Sequence, residues 1–447
     1  MAISPARVAA YEILLRVERE DSYAAELLHA SKYAKLSSAD HGLATELVMG
    51  VSRWRSLLDT RIAGHSSQKL DQLDLEVLTA LRLASYQLIF LDRVPPHAAV
   101  NESVELVKRA RKRSAVPFVN ALLRKLASEK AERPEIRTAS NAAALAAVSA
   151  HPRWLVDRWA RALGLEQAGK ICEYNQRTPE TSLRISNPAI EGELQREGVT
   201  LIPGRLLASA RRVISGEVTQ TKSFRSGRVS VQDEGSQLVA LLVSRGSHIL
   251  DCCAAPGGKT RILAQQNPSA PIVAVELHPQ RARLMRKLVT ETNVRIITAD
   301  ARALPLNAYF DRVLVDVPCS GTGTLARNPE IKWRLRPPGE NSRLADLQCK
   351  QIEILQSAME RVAPGGRLVY STCSLEPEEN EQVIEKAMAA RSSFHVVNCR
   401  EELGRLRFGE KELAWPDLDS LLSGPYLRTI PGVHPCDGFF AAILERI

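Results

Sequence analysis

The sequence has no apolar run longer than Ala142–Val148, far short of the ~20 residues that cross a bilayer. No apolar signal core follows Ser4 and Pro5 at the N-terminus, so the chain is expected in the cytoplasm and away from membranes. Its eight cysteines include no CxxC pair: Cys252 and Cys253 are adjacent, and Cys172, Cys319, Cys349, Cys373, Cys399 and Cys436 are scattered. Neither a zinc site nor a disulfide framework is expected, so a cysteine that matters here works as a reduced thiol. Internal repeats and long low-complexity tracts are also missing. With 447 residues, 45% hydrophobic and 25% charged, the chain has apolar material for two or three globular domains, which excludes wholesale disorder.

A net charge of +9 suits a polyanionic partner. The excess is +4 over residues 1–150, +3 over 151–236 and +2 over 237–447, so it concentrates in the first half. The densest cluster is Lys108-Arg109-Ala110-Arg111-Lys112-Arg113. Two readings compete for Lys108, Arg109, Arg111, Lys112 and Arg113: a solvated helix end favoured by the C-terminal dipole, or a contact with nucleic-acid phosphates.

Three regions follow from the hydrophobic pattern. Residues 1–133 read as all helix. Val77, Leu78, Leu81, Ala84, Leu88 and Leu91 form one apolar face, Pro95 and Pro96 stop that helix, and two more carry Val100, Val104, Val107 and then Val119, Leu122, Leu123, Leu126. Residues 134–150 read as a linker or connecting helix. Residues 151–236 start with a helix bearing Trp154 and Trp159, read as core aromatics, and continue as a small α+β module with strands at Thr181–Ile185 and Val229–Val231. Residues 237–447 alternate strands with helices. The strands Ile249–Asp251, Ile272–Glu276, Arg295–Asp300, Asp311–Asp316 and Arg367–Ser371 predict βαβ units in a mostly parallel sheet. Ligands of such sheets bind beyond the carboxyl ends of the strands.

The first of these strands ends in Asp251-Cys252-Cys253-Ala254-Ala255-Pro256-Gly257-Gly258-Lys259-Thr260. Two glycines before a helix let the backbone approach a ligand and free the helix amides to donate. A triphosphate P-loop fits at Gly258-Lys259-Thr260, but its required first glycine is Cys253. A dinucleotide fingerprint fails because Gly257 is followed by Gly258, Lys259 and Ile262 at the critical offsets. S-adenosylmethionine, with a ribose but no phosphate, remains. Glu276 is placed for its ribose hydroxyls and Asp300 for its adenine amino group.

The fourth strand runs into Asp316-Val317-Pro318-Cys319-Ser320-Gly321-Thr322-Gly323, and the fifth into Tyr370-Ser371-Thr372-Cys373-Ser374. A lone cysteine is most often a small core hydrophobe. Two thiols in loops at ligand-facing strand ends point instead to chemistry. Methylation of a pyrimidine at carbon needs such an arrangement. Thiolate addition at C6 turns C5 into a nucleophile, a carboxyl such as Asp316 near N3 and the 4-amino group stabilises the developing charge, and a second group helps the C5 proton and the thiolate depart. Methylation of an exocyclic amine would require Asp/Asn-Pro-Pro-aromatic here, and Cys319 stands where that aromatic would be.

These motifs resemble the Sun/Fmu family of bacterial ribosomal RNA cytosine-5 methyltransferases with a NusB-like N-terminal domain. The resemblance covers nearly the whole chain. It includes Phe118-Val119-Asn120-Ala121-Leu122-Leu123-Arg124, Val231-Gln232-Asp233-Glu234-Gly235-Ser236-Gln237, the Ala-Pro-Gly-Gly-Lys loop, both cysteine motifs, Glu376-Pro377-Glu378-Glu379-Asn380-Glu381 and Asp437-Gly438-Phe439-Phe440. It implies an α/β fold: a Rossmann-like class I S-adenosylmethionine methyltransferase domain over 237–447, preceded by the NusB-like helical domain and the α+β module, both serving RNA. It further implies Cys373 as nucleophile, Cys319 as the residue that assists product release, and a cofactor site of Cys253, Ala254, Ala255, Pro256, Gly257, Gly258, Lys259, Glu276, Asp300 and Asp316. Members of the family usually carry Asp where Glu276 stands. The expected partner is small-subunit ribosomal RNA, free or in an assembly intermediate, bound by a monomer without metal. The competing reading is an RNA-binding antitermination or assembly factor whose second half only holds the cofactor. Glu378, Glu379 and Glu381 read most simply as acids favouring a helix's first turn.

Overall fold

The computed structural model describes residues 3–447 except 21, 34, 130–132, 137, 138, 186, 188, 340, 341 and 390. Two compact units emerge, Met1–Thr178 with Leu325–Arg334, and Pro179–Thr324 with Leu335–Ile447.

The first unit is helical. Helices α1 (Pro5–Glu20), α2 (Ala24–Leu28), α3 (Ser38–His65), α4 (Leu75–Phe90), α5 (Pro96–Arg109) and α6 (Val116–Ser128) share one apolar core. The α4 stripe read from the sequence lies in that core, and Pro96 at the first turn of α5 sets its start. Helix α7 (Ala142–Val148), capped by the Asn141 side chain, occupies the expected connecting stretch, whose residues 137 and 138 lie outside the described residues. Helices α8 (Arg153–Leu163) and α9 (Leu165–Gln176) follow, with Trp159 buried and Trp154 half-buried.

A late segment completes this unit. After Thr324 the chain enters it, forms the short helix α15 (Ile331–Arg334) and leaves again. Arg53 Nη2 donates to Ala326 O at 3.0 Å, Lys332 Nζ to Arg53 O at 2.8 Å, Trp333 Nε1 to Ser52 O at 2.7 Å, and Ala24 N to Glu330 Oε1 at 3.0 Å. Lys332 is 1% exposed, and burial pushes its ammonium well below the usual lysine range.

The second unit begins with an antiparallel sheet, order β2-β3-β1-β4, of β1 (Ser182–Ile185), β2 (Thr200–Pro203), β3 (Ala210–Ser215) and β4 (Val229–Val231). Helices α10 (Ala189–Arg196) and α11 (Lys222–Arg225) accompany it. Leu206, Leu207 and Ala210 share a core with helix α12 (Glu234–Leu242), whose buried Glu234 accepts from the amides of Arg205, Leu206 and Leu207.

The main sheet has the order β11-β12-β13-β9-β8-β5-β6-β7, with β10 on β13. Strands β5 (Ile249–Asp251), β6 (Ile272–Glu276), β7 (Val294–Thr298), β8 (Phe310–Asp316) and β9 (Val362–Thr372) are parallel to one another. Helices α13 (Gly258–Gln266), α14 (Pro279–Leu288) and α16 (Arg343–Met359) connect them. The sequence reading stopped at five strands. Beyond β9 lie α17 (Glu381–Met388), β10 (Phe394–Val397), α18 (Cys399–Gly404), β11 (Leu422–Ser423), β12 (Tyr426–Arg428) and β13 (Phe440–Arg446), and these strands pair antiparallel. Alternate residues enter opposite cores: Ile249, Leu314 and Val369 one, Leu250, Val313, Val315 and Leu368 the other. Both faces are therefore covered, as parallel sheets require. Strand order reverses between β5 and β8, which opens a crevice at their carboxyl ends.

Candidate active site

The crevice is built on the loop between β5 and α13. Gly257 has φ +107, and a Cβ there would meet Val289 Cγ2 at 2.5 Å, so the turn requires glycine. A cleft beside this loop is lined by Val231, Gln232, Ser236, Asp251, Cys253, Ala254, Ala255, Pro256, Gly258, Lys259 and Asp316. Of the residues expected at a cofactor site, Cys253, Ala254, Ala255, Pro256, Gly258, Lys259 and Asp316 thus come together, with Gly257 supporting the turn.

Two expected acids stand apart from that lining. Glu276 ends β6, is buried, accepts from His278 N at 2.8 Å and has Arg281 Nη1 at 3.8 Å. Asp300 turns to Arg302, two residues on, with Oδ2 2.7 Å from its Nη2 and Oδ1 accepting its backbone amide. That local pair and cap occupy both carboxylate oxygens of Asp300, two residues beyond the end of β7.

Asp251, which the sequence reading counts with Glu276, Asp300 and Asp316 as a strand-end acid suited to S-adenosylmethionine but gives no specific contact, and Gln232, to which it gives no role, both line the cleft. Thr260 Oγ1 donates to Asp251 Oδ2 at 2.7 Å, while Oδ1 is buried without a hydrogen-bond partner. Burial pushes this carboxyl up to about 7. Gln232 Nε2 donates to Ser236 Oγ at 3.1 Å, and its Oε1 is likewise buried and unpartnered. The strand-end position of Asp251 and the Val231–Gln237 motif were the available signals.

Asp316 is held from two sides. Lys259 Nζ lies 2.8 Å from its Oδ2, and Ser371 Oγ donates to its Oδ1 at 2.7 Å. Burial alone would lower the Lys259 ammonium, but the Asp316 carboxylate more than offsets it, and the group rises above the usual lysine range.

The loops after β8 and β9 bring two sulfurs together: Cys319 Sγ and Cys373 Sγ are 3.3 Å apart. The hydrogen bond to Cys373, then burial, then the charges of Cys373 and Glu379 drive the Cys319 thiol well above its ordinary range. Gly323 N donates to Cys373 O at 2.9 Å, and Gly438 N to Gly323 O at 2.8 Å. A Cβ on Gly323 would lie 2.2 Å from Gly438 O, so the Asp437–Phe440 motif closes on the Cys319 loop only because both residues are glycine.

Glu379 corrects the sequence reading. It sits in a short 3₁₀ turn, Pro377–Glu379, and is fully buried. Ser320 N and Gln351 Nε2 donate to its Oε1 at 2.8 and 3.0 Å, and Ser320 Oγ donates to its Oε2. Buried Asn380 accepts from Thr372 Oγ1 at 2.6 Å and donates to Ser374 O at 3.0 Å. Glu381 does open α17, and it binds Arg428 at 2.6 Å.

In the helical unit, Lys108 pairs with Glu105 at 2.7 Å, Arg109 with Glu12 at 3.3 Å and Lys112 with Asp74 at 3.0 Å. Carboxylates thus compensate three of the five clustered cations. Helix α14 differs: Arg281, Arg283, Arg286 and Lys287 are exposed, and the helix contains no acid. Exposed Arg295 lies on the neighbouring edge strand β7.

A parallel sheet with a glycine turn and acids at its switch point defines a Rossmann-like methyltransferase class. A solved methyltransferase homologue from Pyrococcus horikoshii has this fold, with a TM-score of 0.53 and 26% identity over 67% of this chain and 96% of that one. The profile of the 16S rRNA methyltransferase RsmB/F family matches residues 238–445, the NusB family profile residues 4–128, and the RsmF/B-like ferredoxin-like domain residues 151–210. A probable ribosomal RNA small subunit methyltransferase B of Bacillus subtilis is 33% identical, over 98% of each chain. A putative methyltransferase of Mycobacterium tuberculosis is 34% identical over 100% of this chain and 97% of its own. The chain belongs to the RsmB/F family of rRNA methyltransferases.

Proposed function

We propose that this enzyme methylates C5 of a cytosine in 16S ribosomal RNA, using S-adenosylmethionine and a transient bond between Cys373 Sγ and C6 of the ring. The observation that carries this reading is the 3.3 Å contact of Cys319 and Cys373 in loops that adjoin the Lys259–Asp316 pair. Methylation of an amine needs no such thiol pair.

The cleft chemistry fits the cofactor. Asp251 Oδ1 and Gln232 Oε1 are buried acceptors with no protein donor, and buried acceptors require partners. The α-ammonium of S-adenosylmethionine offers such donors, and Glu276 at the end of β6 would serve the ribose hydroxyls. When bound, this cofactor supplies a methyl group on a positively charged sulfur.

The chain's own groups divide the remaining work. Cys319 keeps its proton and donates to Cys373, which favours a thiolate on Cys373. That thiolate adds to C6. Negative charge building at N3 meets the Lys259–Asp316 pair, which holds a proton between a nitrogen and a carboxylate, while Asp316 also accepts from the 4-amino group. Once Cys373 is bonded to carbon its charge is gone, and with it go the hydrogen bond that restrains Cys319 most and the repulsion of Cys373. After C5 has taken the methyl group, Cys319, its proton released to solvent, takes the C5 proton. The C6–S bond breaks, Cys373 returns as a thiolate, and the re-formed Cys319 thiol donates to it.

Phosphate contacts dominate the affinity of such a partner. The 108–113 cluster, through Arg111 and Arg113, and the exposed cations of α14 and β7 would supply them, and the target base would be turned out of its stack.

RNA carrying 5-azacytidine traps an attacking thiol as a stable adduct. Wild type and Cys319→Ala are expected to form it, persistently in the variant, and Cys373→Ala to form none. A wild type that binds cofactor and RNA yet leaves no adduct would instead be an adapter.

A further inference from the structure

A carboxylate taken out of water without a cation costs several kcal/mol, so a protein that buries one next to its reacting groups needs a reason. Glu379 is such a group. It is fully buried, and its carboxylate receives three neutral donors, two from Ser320 and one from Gln351. No lysine, arginine or histidine pairs with it among the described salt bridges. Its position is specific: Ser320 directly follows Cys319, and the next residue, Asn380, binds Thr372 and Ser374, which flank Cys373. Two consecutive residues therefore grip the loops of both sulfurs. Further bonds stitch the loops together: Ser320 Oγ to Ser374 Oγ at 3.1 Å and Leu375 N to Thr322 Oγ1 at 2.9 Å.

We infer that Glu379 is a positioning residue that sets which sulfur ionises: its fixed negative charge keeps Cys319 protonated, while Asn380 holds Cys373 within reach of that proton. This role presupposes Cys373 as the nucleophile. Two thiols in contact share one negative charge, and without a bias it could settle on either sulfur. A buried carboxylate bonded to Ser320, the residue after Cys319, breaks that symmetry by repelling charge on Cys319 in a low-dielectric interior. Its influence on Cys319 is of that sign. The three donors keep Glu379 charged without cancelling it, as a salt bridge would. This also explains an amide at Asn380, which grips the Cys373 loop through one acceptor and one donor and adds no charge.

The test follows single-hit labelling of the free enzyme by limiting iodoacetamide between pH 6 and 10, with the modified cysteine located by mass spectrometry. In the wild type Cys373 takes the label and Cys319 stays dark until high pH. Glu379→Gln removes the charge at nearly constant shape. Cys319 labelling should then begin about one pH unit lower, about tenfold faster at fixed pH. Asn380→Ala should slow adduct formation on 5-azacytidine RNA, and Glu379→Asp should restore most of the wild-type labelling ratio. A Glu379→Gln protein that binds S-adenosylmethionine normally but labels as the wild type does would overturn the proposal. If that variant does not fold, Ser320→Ala substitutes for it. With one donor fewer to favour the charged carboxylate, Cys319 labelling should begin at lower pH, and no movement refutes the assignment. Labelling needs no RNA, so a wild type that forms no RNA adduct defeats the proposed reaction, whereas an adduct-forming wild type with an unaltered Glu379→Gln pattern defeats only the role of Glu379.

Discussion

Lys259 Nζ stands 2.8 Å from Asp316 Oδ2 and 5.4 Å from the centre of the Phe439 ring. The cofactor loop thus lends its cation to a carboxylate on the neighbouring strand. If this pair handles charge at N3, Lys259→Met and Asp316→Asn should each lower kcat by about a hundredfold or more. The double variant should lose little beyond the worse single one, because the two act as a unit. Single-turnover methylation measures this. Full additivity would show that they act separately.

Asp251 makes the protein pH-sensitive with a defined sign. Its folded value of about 7 lies above the ordinary 3.8. Between those values the native state holds a proton that the unfolded chain has lost, so stability falls as pH rises through this window and levels off above it. The cofactor-free Asp251→Asn protein should therefore gain stability over wild type as pH goes from about 4 to about 7. It should bind S-adenosylmethionine more weakly at pH 8, because the ammonium loses a charged acceptor. Thermal melts and equilibrium dialysis across pH check both halves, and a wild type whose stability rises through the window would contradict the first.

Charge reversal separates the two basic regions. Arg283→Glu, Lys287→Glu and Arg295→Glu together should flatten the salt dependence of RNA binding by about 2–3 units of slope. The same change at Lys108, Arg109 and Lys112 should do less to that slope, because Glu105, Glu12 and Asp74 already engage those cations. Filter binding at several salt concentrations decides. Equal losses would mean that the carboxylates let go when RNA arrives.

A chain starting at Pro179 leaves Leu325–Arg334 without the helices it belongs with. Buried Ile331 and half-buried Trp333 would meet water, and Lys332 would lose the Arg53 carbonyl. Such a fragment should precipitate or melt earlier than the full chain, and co-expression of residues 1–178 should restore its solubility. A well-behaved fragment would make the segment dispensable.

Much of the fold was legible because patterning and motif agreed. Strands β5 and β6 fall on the residues expected, and β8 differs by one. The α4 stripe is core. The later strands were missed because β10–β12 are short, and Phe439-Phe440 reads as a motif before it reads as a strand. At the site, cysteines in two strand-end loops could be seen to converge, since parallel strands deliver their carboxyl ends to one edge. Asp251 and Gln232 could not be singled out, because nothing in the sequence shows that a donor is missing. Glu379 looked like any first-turn acid, and only its burial betrays it. The partners of Lys112 and Arg109 lie 38 and 97 positions away, at Asp74 and Glu12, beyond any local reading of charge.

The Leu325–Arg334 segment also fixes a timetable for biosynthesis. A ribosome finishes the helices of the N-terminal unit long before it reaches Glu330 and Trp333, so the Ala24 amide at the first turn of α2 waits for its Glu330 acceptor while the glycine turn and four strands of the main sheet are still being made. The helical unit is thus completed by its own downstream sequence, made between β8 and the β9 loop that carries Cys373.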